Sequence, residues 1–286
     1  MSSTIPEAFV RQFDDTYRML AQQKESRFQS AVLDRGMITG ESFTANNLGT
    51  VDELDEDNVR HGDTIWSEID HETRVAVMRD YNKAFPVDRA DEPKLLANPS
   101  GSYMERLVQA KNLRIDNLIY AALRGASLKK DSTTVALPAG QKIAHGSAGM
   151  TKAKIIQAKK LFRKNEADSF NGEELYMAYN ADVLEDILAD TTLTSADFLA
   201  VKMLQDGDVS GRWMGFNWLP YERLFNDGTA TYAVAWAKSG VHFGTGFMEG
   251  DVGRRKDKKN TLQVMMSGSW AAVRTDEKKV VEIAFQ

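Results

Sequence analysis

The stretch that most limits what this chain can fold into is residues 100–125, SGSYMERLVQAKNLRIDNLIYAALRG. Met104, Leu107, Val108, Ile115, Leu118, Ile119 and Ala122 recur at helical spacing, and neither proline nor glycine interrupts them. Ser102 with Glu105 three positions on spells a capping box, which satisfies orphan donors at a helix start. Gly125 offers a left-handed stop at the far end. The pattern predicts one helix over 102–124, roughly 33 Å long at 1.5 Å per residue. Its opposite face carries Glu105, Arg106, Lys111, Asn112, Arg114 and Asn117. A rod of that length suits a strut that carries other elements.

The flanking segments look less self-sufficient. Thr4, Pro6 and Glu7 open residues 5–33 with helix-start chemistry, and Phe9, Val10, Phe13, Tyr17 and Leu20 follow as an aromatic stripe. That stripe must be buried in its own core or on another chain. Residues 41–80 hold eleven acids and three bases, net −8, so with a whole-chain charge of −5 the rest sums to +3. Asp52, Glu53, Asp55, Glu56 and Asp57 crowd together there, without the glycine and spacing of a calcium loop. Asn46–Gly49 and His61–Asp63 read as turns, and Thr73–Met78 alternates like a strand. With few large apolar residues, this stretch is expected to be an extended hairpin, solvated or laid on a partner. Pro86, Pro93 and Pro99 then force extended backbone up to the long helix.

After a loop with a short strand near 133–137, Thr151–Lys164 reads as a basic amphipathic helix. Ile155, Ile156, Leu161 and Phe162 lie to one side, and Lys152, Lys154, Lys159, Lys160, Arg163 and Lys164 spread over the rest. A solvated face is the ordinary reading, and phosphate binding is the alternative. Glu174–Tyr179 reads as a buried strand. Ala181–Leu188 and Ser195–Gln205 read as helices capped by Asn180 and Ser195, and Asp206–Asp208 as a turn. Strands follow at Arg212–Leu219, Thr231–Ala237, Val241–Met248, Leu262–Met266 and Val280–Phe285. Runs of strands without strict helix alternation favour an α+β fold.

Chemistry is hard to find. The chain has no cysteine, which excludes disulfides and thiolate sites. His61, His71, His145 and His242 show no metal-ligand spacing, and no nucleophile elbow, phosphate loop or zinc-protease motif is present. No enzyme activity, cofactor or metal is expected. No apolar run is long enough for a membrane helix, and the start of the chain does not read as a signal peptide. Trp213, Phe216, Trp218 and Trp236 sit among strand residues and read as sheet packing. The one concentrated positive patch is Arg254, Arg255, Lys256, Lys258 and Lys259 around Asp257, net +4. It reads as a solvated turn, a protein contact or a nucleic-acid patch.

Taken in order, several pieces resemble the major capsid proteins of tailed bacteriophages, with the Hong-Kong-97-like shell fold. Arg74-Val75, Asp80-Tyr81, Ala84, Asp88, Lys94–Leu96, Asn98-Pro99 and Ser102-Tyr103 resemble that family's return strand into its long helix. Arg114, Asp116, Ile119, Ala121-Ala122 and Gly125 resemble the helix body. Thr151-Lys152, Ile155, Ala158-Lys159, Leu184, Leu188–Asp190, Thr194–Phe198, Lys202, Leu204 and Gly207 resemble its middle domain. Gly215-Phe216, Gln263-Val264, Ser267, Trp270–Arg274 and Glu277–Ile283 resemble its last strands.

The resemblance implies an N-terminal arm (1–43), an extended acidic hairpin loop (44–82), a peripheral domain (83–130 and roughly 250–275) with the spine helix 102–124, and an axial domain (roughly 131–249 and 276–286). It implies a virion protein, assembled in the host cytoplasm, whose hexamers and pentamers close an icosahedral head around double-stranded DNA without reading its sequence. A portal protein, a separate scaffolding protein and, depending on the phage, a decoration protein would be its partners. No long scaffolding domain precedes the arm, and no motif marks a cross-linking Lys–Asn pair. The segments that cannot stabilise themselves suggest contacts between subunits. The candidates are Phe9, Phe13 and Tyr17 of the arm, acidic Asp52, Glu53, Asp55, Glu56 and Asp57, and basic Arg106, Lys111, Arg114, Arg254, Arg255, Lys256, Lys258 and Lys259. A nanocompartment shell of the same fold and a soluble α+β hydrolase are the competing readings.

Overall fold

In the computed structural model, which describes residues 20–54, 62, 66–88, 100–189, 209 and 212–286, the long helix forms as α1 (Ser100–Arg124). It spans 25 residues, about 37 Å. The start differs from the expectation. Ser102 and Glu105 lie inside the helix, and Glu105 Oε1 accepts from Gln109 Nε2 one turn on at 3.5 Å. The end differs too, because Gly125 is not among the residues with left-handed backbone. Glycine is required there for a close approach instead: a Cβ would stand 2.7 Å from the Ala121 carbonyl oxygen.

Two compact units form. Unit 1 comprises Met1–Glu25, Asp80–Arg114 and Phe247–Ser269. Its sheet holds β4 (Arg79–Val87) and the outer lengths of β13 (Val241–Arg255) and β14 (Thr261–Arg274), in the order β13-β14-β4. β4 is an edge strand, which is where Pro86 costs no ladder hydrogen bond. The first half of α1 packs on this sheet. Tyr103 meets Phe85 edge-on at 5.6 Å, and the Arg114 guanidinium lies over the Tyr81 ring at 4.3 Å. The two long strands were underestimated as Val241–Met248 and Leu262–Met266. The outer residues of β13 are mostly solvated and include Gly250 and Gly253, so they lack an apolar pattern, whereas β14 continues past Met266 through Ser267, Gly268 and Ser269, small residues that are half-buried or buried but read as a break in the sequence.

Unit 2 comprises Ser26–Arg79, Ile115–Gly246 and Trp270–Gln286. Its larger sheet holds β7 (Lys142–Ile143), β8 (Leu175–Tyr179), β9 (Arg212–Trp213), β10 (Phe216–Pro220), β11 (Phe225–Asn226), β12 (Thr231–Ala237) and β15 (Val280–Phe285), in the order β7-β15-β12-β8-β10-β9, with β11 on β12. β15 is buried throughout and β12 from Ala233 onward, as central strands covered on both faces must be. α2 (Lys152–Lys164) and α3 (Ala181–Ala189) supply Ile155, Phe162, Val183 and Ile187 to a core shared with Met177, Phe216, Trp218 and Ile283. Thr151 caps α2 by accepting from the Lys154 backbone N–H, and Asn180 caps α3 by accepting from Val183 N–H. Arg212–Leu219 is two strands, not one: Met214 (φ 53°) and Gly215 (φ 82°) turn the chain between them.

A second sheet of unit 2 runs β2-β3-β5-β6, from Ser42–Leu48, His71–Val77, Ser127–Lys129 and Thr134–Val135. β1 (Leu33–Met37) pairs in parallel with the start of β13, Leu33 opposite His242. Asn46–Leu48 is therefore strand, not turn. The described part of the 5–33 segment holds one short 3-10 turn, Gln29–Ala31, before β1. The expected helix Ser195–Gln205 and turn Asp206–Asp208 lie outside the described residues.

Candidate interaction surfaces

The acidic stretch starts from a rigid base. β2 and β3 pair antiparallel from Ser42 opposite Val77 to Leu48 opposite His71. Period-two alternation places Phe43, Ala45 and Ala76 inward, against Ala271 and Val273. The expectation that this stretch has no core of its own is thus corrected for its base. The same alternation drives Arg74 inward, where it is almost completely buried. Arg74 Nη2 donates to Glu72 and Glu277 at 2.9 Å each, and Lys129 Nζ reaches Glu72 at 2.6 Å.

Beside it, Arg274 is fully buried. Its Nη1 donates to the Leu123 and Gly125 carbonyls at 2.8 and 2.7 Å, and its Nη2 to Val135 at 2.9 Å. A cation there satisfies orphan carbonyls at the end of α1 and opposes the negative end of the helix dipole. Burial lowers the Arg274 pKa, while the Glu277 carboxylate, 3.6 Å away, works against that shift.

The segment before β1 is fastened by a buried carboxylate. Asp116, on α1, accepts from Ser26 Oγ at 2.6 Å and from the Arg27 and Phe28 backbone N–H groups at 3.1 Å. Phe28 is fully buried between Tyr221 (4.7 Å) and Trp236 (5.3 Å), and Trp236 Nε1 donates to the Ala31 carbonyl at 2.9 Å. In unit 1 the preceding residues make exposed hydrogen bonds to α1. Arg106 donates to the Leu20 carbonyl at 2.6 Å and to Gln22 Oε1 at 2.9 Å, and Asn112 to the Lys24 carbonyl at 2.7 Å.

Several predicted contact residues have in this way found uses within their own unit. Arg106 binds the chain before Glu25, and Arg114 lies on Tyr81. Lys111 Nζ meets Met248 Sδ at 3.5 Å, with its pKa lowered by burial. Arg254 and Arg255 end β13, and Lys256, Lys258 and Lys259 lie in the exposed turn that follows, where Lys259 and Asn260 take left-handed backbone. Arg255 grips Asp257 with two bonds, of 2.8 and 2.6 Å, which helps hold the Asp257 pKa down to about 2. These basic residues all belong to unit 1, whereas Asp52 and Glu53 belong to unit 2 and are exposed. Phe9, Phe13, Tyr17, Asp55, Glu56 and Asp57 lie outside the described residues.

The described residues contain no group of three or more His, Asp or Glu side chains placed to hold a metal ion. His242 has its pKa lowered to about 4 by burial first, then by Arg35 and Lys279. The sequence assigns no contact to Arg74, Asp116 or Arg274, and it places Lys154 on the solvated face of α2, where the structure instead buries it. Arg74 was findable, since it shares the inward period of Ala76.

Residues 5–286 match the family model described as phage capsid protein. The chain belongs to the phage capsid protein family. Solved structures agree on the fold. A chain from Mycobacterium phage Che8 superposes with a TM-score of 0.73 at 13% identity, covering 96% of this capsid protein and 97% of that chain. One from the capsid of cyanophage P-SCSP1u gives 0.71 at 15%, covering 100% and 95%. One from the head of Helicobacter pylori bacteriophage KHP40 gives 0.73 at 10%, covering 99% and 96%. No curated protein matches at a significant level. The capsid protein thus has the Hong-Kong-97-like fold and a major structural role in a phage head, as part of the virion capsid.

Proposed function

We propose that copies of this protein assemble with one another, as hexamers and pentamers, into an icosahedral head around double-stranded DNA. The observation that carries the reading is the apolar surface along the hairpin beyond its anchored base. Leu48, Val51, Leu54, Trp66 and Ile69 are exposed, Leu54 at 98% and Trp66 at 90%. Apolar surface of this kind on a firmly rooted extension marks a docking element, and an identical neighbour is the partner available at every position of a shell.

In this reading unit 1 is the peripheral domain, the larger sheet of unit 2 the axial domain, and the hairpin and N-terminal arm the parts that reach other subunits. Phe9, Phe13 and Tyr17 are buried on a neighbour. Asp52, Glu53 and Asp55–Asp57 lie near Arg106, Lys111, Arg114 and the 254–259 turn of an adjacent copy. Each exposed pair contributes only about 0–1 kcal/mol, but repetition around a closed shell fixes register. A portal protein and a separate scaffolding protein complete the assembly in the host cytoplasm, and the protein's role is structural, not catalytic.

Negative-stain imaging and sizing of the purified protein test this. Particles are expected at physiological salt, with marked loss at high salt and in Trp66→Ser. Particle yield indifferent to salt, to charge reversal at 254–259 and to Trp66→Ser would remove the proposed contacts. A lone monomer that buries both the 9–17 aromatic stripe and the apolar residues of the hairpin beyond its base against its own chain would remove the shell reading itself.

A further inference from the structure

The basic helix α2 is left unexplained by the contacts above. Six of its thirteen residues are Lys or Arg and none is acidic. Two of the six have structural duties. Lys154 is buried, against expectation, because its Nζ donates to the Ala148, Gly149 and Ala284 carbonyls at 2.7, 2.8 and 3.1 Å. Lys159 lies over the Phe216 ring at 5.4 Å, where burial and then the like charges of Arg212 and Arg163 disfavour its protonated form. The remaining four, Lys152, Lys160, Arg163 and Lys164, are exposed, and Ile156, expected on the apolar side, is exposed with them.

Lys152, Ile156, Lys160 and Lys164 follow one another at intervals of four, so they form one row with about 6 Å between successive members. Asp168 pairs with Arg163 at 2.8 Å. The chain's acid excess does not cancel this row, because residues 41–80 hold net −8 of the −5 total and the rest of the chain is +3. The row's three charged members, Lys152, Lys160 and Lys164, are all cationic, and exposed Arg163 adjoins them, so the face offers charge of one sign to a phosphate backbone.

We propose that the exposed face of α2 binds the phosphate backbone of double-stranded DNA, weakly and without sequence preference, and so marks the side of the subunit that faces the packaged genome. This rests on the reading that the shell encloses DNA. It requires no base contact: the face offers Lys, Arg and one aliphatic side chain, none in a groove-reading arrangement.

The test is fluorescence anisotropy of a labelled 20-base-pair duplex titrated with the full chain. Wild type is compared with Lys152→Gln/Lys160→Gln/Lys164→Gln and with a control, Lys83→Gln/Arg223→Gln/Lys278→Gln, that removes the same charge at exposed positions outside α2 and outside the proposed subunit contacts. Three phosphate contacts predict a log–log salt slope lower by about 2.7, a difference of about 40-fold between 50 and 200 mM salt. The α2 variant should lose that dependence, and the control should stay within about twofold of wild type. Equal loss in both variants, or none in the first, overturns the assignment. Competition by polyglutamate as strong as by DNA would overturn it in favour of an acidic protein partner. Imaging of the α2 variant separates the two readings. Particles that form but no longer retain DNA support both. Loss of particles with unchanged duplex binding makes α2 a subunit contact and refutes the DNA face.

Discussion

Replacing Asp116 with alanine should release the chain around Phe28 without unfolding the rest of the protein. The carboxylate is fully buried and receives Ser26 Oγ and the N–H groups of Arg27 and Phe28. Alanine leaves those donors without their acceptor, and an unsatisfied buried donor costs about 1–3 kcal/mol. Arg27 N–H and the serine hydroxyl are only partly buried, and water can partly replace the carboxylate for them, so the sum is about 2–4 kcal/mol. Spread locally, that is about a 30- to 1000-fold faster amide exchange at residues 26–31, since each 1.4 kcal/mol is a factor of ten. Hydrogen exchange read by mass spectrometry on peptides covering 24–37 measures this directly. It also avoids assuming a single cooperative transition in a chain with two units. Peptides from β12 and β15 serve as the internal reference and should exchange as in wild type. Protection at 26–31 that stays within threefold of wild type would refute the reasoning. It would mean that Phe28, wedged between Tyr221 and Trp236, holds the segment unaided.

Three further outcomes are expected. Gly125→Ala places a Cβ 2.7 Å from the Ala121 carbonyl oxygen, a backbone atom that cannot swing away, and should destabilise by about 1–3 kcal/mol, seen as a lower thermal midpoint. Arg274→Ala removes a buried cation from three carbonyls and leaves Glu277 with Arg74 alone of the two buried guanidinium groups beside it, and should cost about 3–5 kcal/mol in urea unfolding. His242 has a folded pKa of about 4 against 6.5, so the unfolded chain binds its proton first as pH falls. The stability it confers is complete above pH 6.5 and drains away towards pH 4, by no more than about 2 kcal/mol given its partial exposure. His242→Gln should flatten that limb of the stability–pH curve.

What could be read in advance followed the residues whose neighbours lie close in sequence. α1, α2, α3, β3, β8, β12 and β15 announce themselves by period, and the caps Thr151 and Asn180 by residue type. The hairpin base did not, because its packing partners, Ala271 and Val273, are some two hundred positions away. Without them Phe43 and Ala45 look like too little apolar surface to fold. Lys154 failed for the same reason: the carbonyls that accept its ammonium come from the 148–149 loop and from β15. Gly125 shows a subtler limit, since a glycine at a helix end fits either left-handed backbone or close approach, and composition alone does not separate them. The basic residues of α1 were legible as a charged face, but their engagement with Tyr81, Met248 and the chain before Glu25 depends on tertiary neighbours.

The position of β15 in the larger sheet bears on biosynthesis. It lies between β7 and β12, and β7 has it as a partner in the sheet order, yet its residues 280–285 are the last of that sheet to leave the ribosome. Until they emerge, β12 keeps one edge bare and Lys154 lacks the Ala284 carbonyl. The larger sheet therefore closes only once β15 has been made, after every other strand of that sheet.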